Sequence, residues 1–132
     1  MYHPDLSGAR YVSIQNKTRH NFVATQARVA DGYFTRLIGL LGTGPSWPRP
    51  GKGLWIVPSS SVHSLGMLYA LDLIFLDREH AVVETQENLR PFRISKVVFK
   101  AHSVLELPVG TLARTETQAG DELEITPAAI SA

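Results

Sequence analysis

The chain has 132 residues, of which 44% are apolar and 19% charged, and its formal net charge is +1. This size is typical of one domain, and the balanced charge excludes a protein that coats nucleic acid or acidic membranes through its net field alone. The absence of cysteine excludes disulfides, thiol catalysis and thiolate metal sites. No segment approaches the roughly 20 apolar residues of a membrane-spanning helix. We therefore expect a single cytoplasmic domain over residues 1–132 without a membrane partner.

After a loose polar stretch over residues 1–10, the chain has the pattern of a β-hairpin. Val12 and Ile14 alternate with polar residues, as in a half-buried strand. Residues 16–21 are rich in turn-forming side chains, and a second alternating run follows over residues 23–29. The two runs predict adjacent antiparallel strands.

One helix is predicted in the first half of the chain, over about residues 31–42. Asp31 is a candidate N-cap, apolar residues recur behind it at helical spacing, and Gly42 is a candidate C-cap. Arg36 lies off the apolar stripe of this helix. Residues 42–53 are rich in glycine and proline, so we expect a loop there.

The rest of the chain is dominated by strand patterns. Short apolar or alternating runs occupy residues 54–57, 62–68, 71–76, 81–85, 103–107 and 121–125, with room for one helical turn within 110–120. A count of about eight strands against one helix predicts a mainly β, single-domain fold resembling a sandwich or jelly roll.

A histidine near a buried acid is the best candidate site. His63 precedes the apolar strand that carries Asp72. Because Asp72 shares a face with Ile74, we expect its carboxylate to be buried and to need a partner. An imidazole oriented by that carboxylate is the arrangement of general acid–base catalysis. Alternatively, Asp72 accepts backbone N–H bonds or pairs with Arg36 or Arg90, and His63 is a core residue.

Glu106 is a second carboxylate within an apolar strand. It lies between Leu105 and Leu107, whose side chains point to the opposite face. If those two leucines face the core, Glu106 faces solvent. We therefore expect the Glu106 carboxylate to be exposed.

The segment from Arg90 to Lys100 carries basic residues and phenylalanines without an acid. Such a run can follow a phosphate backbone while its rings stack on bases. On a strand, however, Arg93 and Lys96 point to opposite faces. Charged side chains also commonly protect an exposed sheet edge. We therefore expect a solvated strand edge and no nucleic-acid partner.

Known motifs for metals, phosphates and nucleophiles are absent from the sequence. The five histidines include no pair at i, i+4 spacing. Gly51 and Lys52 lack the other positions of a phosphate-binding loop, and no serine lies in a Gly-x-Ser-x-Gly turn. We therefore predict no metal and no cofactor, and we expect binding rather than catalysis.

Several motifs recur in a fixed order along the chain. They are Arg36-x-x-Gly39-Leu40-Leu41-Gly42, Val62-His63-Ser64-x-Gly66-Met67, Leu71-Asp72-Leu73-Ile74-Phe75-Leu76-Asp77, Val104-Leu105-Glu106-Leu107-Pro108-x-Gly110 and Gly120-Asp121. Over about residues 22–125, their order and spacing resemble the bacterial and archaeal domain of unknown function 192 family, also called uncharacterised protein family 0127. The resemblance implies a jelly-roll-like β domain with a helix near one end, and it implies no activity.

The family's signature residues, as they fall on this chain, are Arg36, Gly39, His63, Met67, Asp72, Leu105, Glu106 and Gly110. The glycines and the leucine have evident backbone or packing roles. Arg36, His63 and Asp72 have none, so the resemblance makes these three the best candidates for a site.

We therefore expect a non-catalytic binding or accessory module with a polar cleft around His63 and Asp72. Arg36, Met67 and Arg90 are the further predicted ligand contacts. The expected partner is a small polar molecule or a protein segment, and the expected state is a monomer or weak dimer.

Two alternatives remain open at this point. In one, the protein is a small hydrolase or lyase in which His63 is the general acid or base, oriented by Asp72. In the other, these residues are architectural, and function lies on a surface such as the loop that carries Trp47.

Overall fold

The computed structural model describes residues 10–31, 49–61 and 69–128. These residues form seven strands and one short helix. In chain order they are β1 (Tyr11–Asn16), β2 (Asn21–Asp31), β3 (Lys52–Val57), β4 (Leu71–Leu76), β5 (Val82–Leu89), β6 (Ser103–Pro108), α1 (Thr111–Thr115) and β7 (Leu123–Pro127).

The helix predicted over residues 31–42 lies outside the described ranges, except for Asp31, which ends β2. Arg36, His63 and Met67 also lie outside them. Within the described ranges, no helix has the length and apolar character needed to cross a membrane.

All of these strands belong to one sheet, in the order β5-β4-β6-β3-β2-β1-β7. Neighbouring strands are antiparallel except β2 and β3, which run parallel. The sheet curls until its two edge strands approach each other. There, Ala81 forms an antiparallel bridge with Glu122, and the Val82 N–H donates to the carbonyl of Asp121 at 2.8 Å. The curl gives the sheet an inner and an outer face.

Both faces of the curled sheet are packed. Strand β4 is buried along its whole length and supplies alternate side chains to two cores. The inner core comprises Ile14, Val23, Ala24, Ala27, Ile74, Leu76, Val82, Leu105, Leu107, Leu112 and Leu123. The outer core comprises Ala30, Leu54, Ile56, Leu71, Leu73, Phe75, Leu89 and Val104. The inner core packs side chains of β4 against those of β1 and β7. The two layers expected of a sandwich are therefore opposite parts of one curled sheet.

The prediction of a mainly β fold is confirmed. The predicted opening hairpin occurs as β1 and β2, which pair from Tyr11 with Arg28 to Asn16 with Asn21. Strand β7 runs to Pro127, two residues beyond the predicted strand. Ala128, the residue after β7, donates an N–H bond to the carbonyl of Tyr11 at 3.0 Å.

The expectation that Glu106 is exposed is wrong. Its side chain is buried on the outer face of β6, where its partners in register are Leu54 on β3 and Leu73 on β4. The expectation assumed that only the face with Leu105 and Leu107 was covered. Because both faces of β6 are covered, Glu106 lies within the outer core.

Candidate functional site

Asp72 is buried, as predicted, and its carboxylate binds the backbone of two other segments. Its Oδ1 accepts an N–H bond from Asn88 at 3.0 Å. Its Oδ2 accepts N–H bonds from Gly110 at 3.1 Å and Leu112 at 3.0 Å. Hydrogen bonds to a carboxylate are stronger than those between neutral groups. Asp72 therefore fixes β4 to the end of β5 and to the first turn of α1.

Two of the three donors to Asp72 have unusual backbone conformations. Asn88 has a φ of 54° and Gly110 a φ of 99°, both in the left-handed region. Asparagine and glycine are the residues that adopt this region most readily. The sequence therefore contains residues suited to turning these two N–H groups out of the strand direction and towards the carboxylate.

These contacts match the alternative in which Asp72 accepts backbone N–H bonds. Of the other predicted site residues, Arg90 is exposed just beyond β5. Arg36, His63 and Met67 lie outside the described ranges. That these five residues share one ligand site stays a prediction.

A cavity of about 510 Å³ lies at the open end of the inner face. Its lining residues come from β1, β2, β3 and β7 and from the residue before β1: Arg10, Tyr11, Val12, Val29, Trp55, Val57 and Pro127. Most of them are apolar, and the volume is that of a typical small-molecule site. None of them is identifiable from sequence spacing, because strand pairing alone brings these distant residues together.

Trp55 is the largest side chain in the cavity lining. Its ring meets that of His80 edge to face, with centroids 5.4 Å apart and an interplanar angle of 84°. Its buried indole Nε1 has no hydrogen-bond partner in the part of the chain that the structure describes. A buried donor without a partner costs about 1–3 kcal/mol. Trp55 therefore contributes a large apolar surface to the cavity lining, while its indole N–H stays buried.

Glu106 is the second buried carboxyl group of the central strands. Burial raises its pKa to about 8, so the group is largely protonated at pH 7. Its Oε2 has no hydrogen-bond partner among residues 10–31, 49–61 and 69–128. Burial, together with the charge of Glu106, raises the pKa of Tyr69 to about 12. Glu106 and Tyr69 therefore interact at the outer core.

Neither carboxylate belongs to a metal-binding cluster that the structure describes. Within the described ranges, no three or more histidine, aspartate or glutamate side chains are grouped so that they could hold a metal ion. The candidate functional features in these ranges are therefore the backbone-bound Asp72, the protonated Glu106 and the cavity beside Trp55.

Comparison with known proteins places the chain in a family. The family model DUF192, described as "Uncharacterized ACR", matches residues 14–125. A UPF0127 protein of Thermococcus sibiricus is 32% identical over 115 residues, which are 83% of this chain and 71% of the relative. A UPF0127 protein of Pyrococcus abyssi is 32% identical over 105 residues, which are 75% and 85% of the two chains.

The fold also occurs in a solved structure. A protein of unknown function from Novosphingobium aromaticivorans matches with a TM-score of 0.72 at 20% identity, over 94% of this chain and 91% of that chain. This likeness concerns the fold, whereas the family model and the archaeal relatives establish kinship. The resemblance found in the sequence motifs is confirmed, and the chain belongs to the uncharacterised DUF192 family, also named UPF0127.

Proposed function

We propose that the protein is a non-catalytic binding module whose ligand occupies the cavity beside Trp55. The observation that carries this proposal is the space of about 510 Å³ at the open end of the inner face. Val12, Val29 and Val57 present apolar walls from three neighbouring strands. Sites for small molecules are commonly concave, mostly apolar and preformed in this way.

The lining of the cavity favours a particular class of ligand. Apolar walls favour an aromatic or aliphatic body, because its transfer from water into the cavity buries apolar surface. Arg10 adds a positive charge to the lining, which favours an anionic group on the ligand. The proposed ligand is a small, mainly apolar molecule that carries an anionic group.

We propose the polar cleft around His63 and Asp72 as a second, separate ligand site. A hydrolase or lyase that uses these residues has less support, because the described contacts of Asp72 are backbone N–H bonds that position α1. A cytoplasmic location and a monomeric or weakly dimeric state belong to the same proposal of a binding module.

Fluorescence titration with 1-anilinonaphthalene-8-sulfonate tests the cavity site, since this probe has an apolar aromatic body and an anionic group. The substitutions Val29→Phe and Val57→Phe, made together, add two rings to the cavity. We expect them to weaken probe binding by about tenfold or more, because the probe and the new rings need the same space.

The matched control is Val109→Phe, which adds the same ring at an exposed position outside the cavity. We expect this variant to bind the probe as the wild type does, and thermal unfolding checks that all variants are folded. Equal probe affinity in the wild type and the folded double variant, or no probe binding at all, would contradict the proposal.

A further inference from the structure

The connection between β5 and β6 leaves large apolar side chains in solvent. We call residues 90–100 the basic–apolar loop. Its exposed apolar side chains are Phe92 at 61%, Ile94 at 69%, Val97 at 54% and Phe99 at 92% of full exposure. Soluble proteins seldom leave so many large apolar side chains together in water unless the surface meets a partner.

The loop belongs to none of the strands of the sheet. The sequence-based expectation of a strand edge is therefore wrong, and with it the argument that strand alternation separates Arg93 from Lys96. Pro91 and the left-handed conformation of Phe92, with a φ of 62°, interrupt the extended backbone directly after β5. The basic side chains of the loop are consequently not divided between two faces of a sheet.

The loop is nevertheless held against the body of the protein. The Val98 N–H donates to the carbonyl of Ser60 at 2.9 Å, and the Lys96 N–H donates to Gln86 Oε1 at 3.1 Å. Val98 and Ala101 pack against the outer core. These contacts fix the loop backbone and leave the exposed phenylalanines outside the core.

Phe92 is an unusual residue for its backbone conformation. A bulky residue with a φ of 62° is strained relative to glycine or asparagine. Its exposed ring adds little burial to the fold that would offset this strain. The phenylalanine at this position therefore calls for an explanation outside the folding of the chain itself.

The exposed apolar side chains are interleaved with positive charges. Arg90, Arg93, Lys96 and Lys100 are all exposed, and residues 90–102 contain no acidic residue. Lys96 Nζ lies 3.9 Å from Glu84 Oε2, in an exposed pair that is worth at most about 1 kcal/mol. The net charge of +1 for the whole chain thus includes a loop that itself carries four basic residues and no acidic one.

We infer that the basic–apolar loop binds the surface of an anionic lipid bilayer. At such a surface, phenylalanine and aliphatic side chains enter the boundary between headgroups and acyl chains. Lysine and arginine side chains reach the lipid phosphates, and screening confines this attraction to charges near the surface. The expectation of no membrane partner rests on net charge and on the lack of a spanning segment, and neither bears on a local surface contact.

Two other kinds of partner fit the loop less well. The cores of protein interfaces are depleted of lysine, whereas Lys96 and Lys100 lie among the exposed apolar residues. Single-stranded nucleic acid stacks its bases on aromatic rings, and Ile94 and Val97 offer none. A bilayer surface uses the aliphatic, aromatic and cationic side chains together.

Vesicle flotation tests this inference on the full chain. We expect the protein to float with vesicles of phosphatidylcholine and phosphatidylglycerol, to float poorly with phosphatidylcholine alone, and to be released at high salt. Phe92→Ser with Phe99→Ser should lower partitioning about tenfold or more, because the inserted rings are lost. Arg93→Gln with Lys100→Gln should lower it about fivefold for each charge removed.

The matched controls change the same residue types outside the loop. Phe22 and Lys17 are both exposed, so Phe22→Ser with Lys17→Gln should leave partitioning unchanged. Thermal unfolding checks the fold of each variant. An absence of flotation with anionic vesicles overturns the inference, as does flotation that the phenylalanine substitutions leave unchanged. Binding to a thymidine oligonucleotide instead of vesicles, if lost in the phenylalanine variant, would assign the loop to nucleic acid.

Discussion

Asp72 and Glu106 are buried carboxyl groups on neighbouring central strands, and they differ in how the fold accommodates them. Asp72 on β4 accepts three backbone N–H bonds. Glu106 on β6 has an Oε2 atom without a partner in the described part of the chain, and burial raises its pKa to about 8. A buried carboxyl group is thus accommodated either by donors or by a proton of its own.

The origin of this difference lies in the backbone around each group. Asp72 faces the end of β5 and the start of α1, where N–H groups have no partner within a strand ladder or helix. Glu106 lies in the middle of β6, between Leu54 and Leu73 in register. There the neighbouring N–H groups already serve the strand ladders. Irregular backbone therefore supplies the donors that a buried carboxylate needs, and regular sheet does not.

The largest expected effect on stability comes from removing the Asp72 side chain, which accepts three backbone N–H bonds. Asp72→Ala leaves the N–H groups of Asn88, Gly110 and Leu112 without their acceptor. We expect the free energy of unfolding to fall by about 3–5 kcal/mol, since several partly or fully buried donors are left unpaired. Urea denaturation at neutral pH measures this loss.

Asp77→Ala is the matched control for Asp72→Ala. Asp77 Oδ1 also accepts backbone N–H bonds, from Glu79 and Ala81, but it does so in the exposed turn between β4 and β5. Because water can replace this acceptor, we expect a loss of only about 1 kcal/mol. Equal losses in the two variants would show that burial does not distinguish these carboxylates.

The next effect concerns Glu106 and depends on pH. Its pKa is about 8 in the folded protein against 4.5 as the ordinary value, so the folded state binds more protons than the unfolded state between these pH values. The contribution of Glu106 to the free energy of unfolding is therefore greatest below about pH 4.5, falls as pH rises towards 8, and then levels off. Glu106→Gln should remove this decline and raise the free energy of unfolding by about 2–4 kcal/mol above pH 8.

Denaturant titrations of the wild type and Glu106→Gln across this pH range measure the Glu106 effect. Glu84→Gln is a suitable control, because Glu84 is a glutamate on β5 whose side chain is exposed and lies near Lys96. The control should keep the pH profile of the wild type. A parallel decline in wild type and Glu106→Gln would contradict a protonated Glu106 in the folded state.

The smallest expected effect lies at Asp121, where side chains supply donors alongside the backbone. Burial raises the pKa of this carboxyl, but hydrogen bonds from Asn16, Arg19 and Gln118 and the charge of Arg19 outweigh burial and lower it. The resulting stability is present at neutral pH and disappears as pH falls through the pKa of the folded state. Arg19→Ala should cost about 1 kcal/mol at pH 7.

Acid unfolding curves measure the Arg19 effect. The difference between Arg19→Ala and the wild type should shrink as pH falls, since a protonated Asp121 no longer attracts the guanidinium. Arg78→Ala, in the exposed turn after β4, is the control and should not change the acid limb. A constant difference at every pH would assign the loss to packing of the Arg19 side chain instead.

Local patterns predicted those parts of the fold that neighbouring residues determine. The hairpin of β1 and β2 follows from alternation and a turn, and the burial of Asp72 follows from the face it shares with Ile74. The donors to Asp72 come from 16 to 40 residues away, so spacing could not identify them. The burial of Glu106 was missed because alternation does not show whether a second layer covers the other face.

The cavity and the basic–apolar loop also show that local sequence patterns do not predict which distant segments meet or where the backbone is irregular. Val29, Trp55 and Pro127 meet only through the parallel pairing of β2 with β3 and the pairing of β1 with β7. Neither pairing joins strands in a simple hairpin, so no local pattern predicts it. In the loop, the sequence shows the charges and rings but predicts a strand, whereas the backbone there is irregular.

The pairing of β7 with β1 has a consequence for the synthesis of the chain. β7 is the last described strand in chain order, and it covers β1, the first. The segment preceding β7 also supplies Glu122, which bridges to Ala81. A nascent chain that has emerged only through β6 therefore presents two unpaired strand edges, which can pair with other chains. The sheet becomes self-complementary only once β7 has left the ribosome, so β1 to β6 cannot close the sheet before β7 is synthesised.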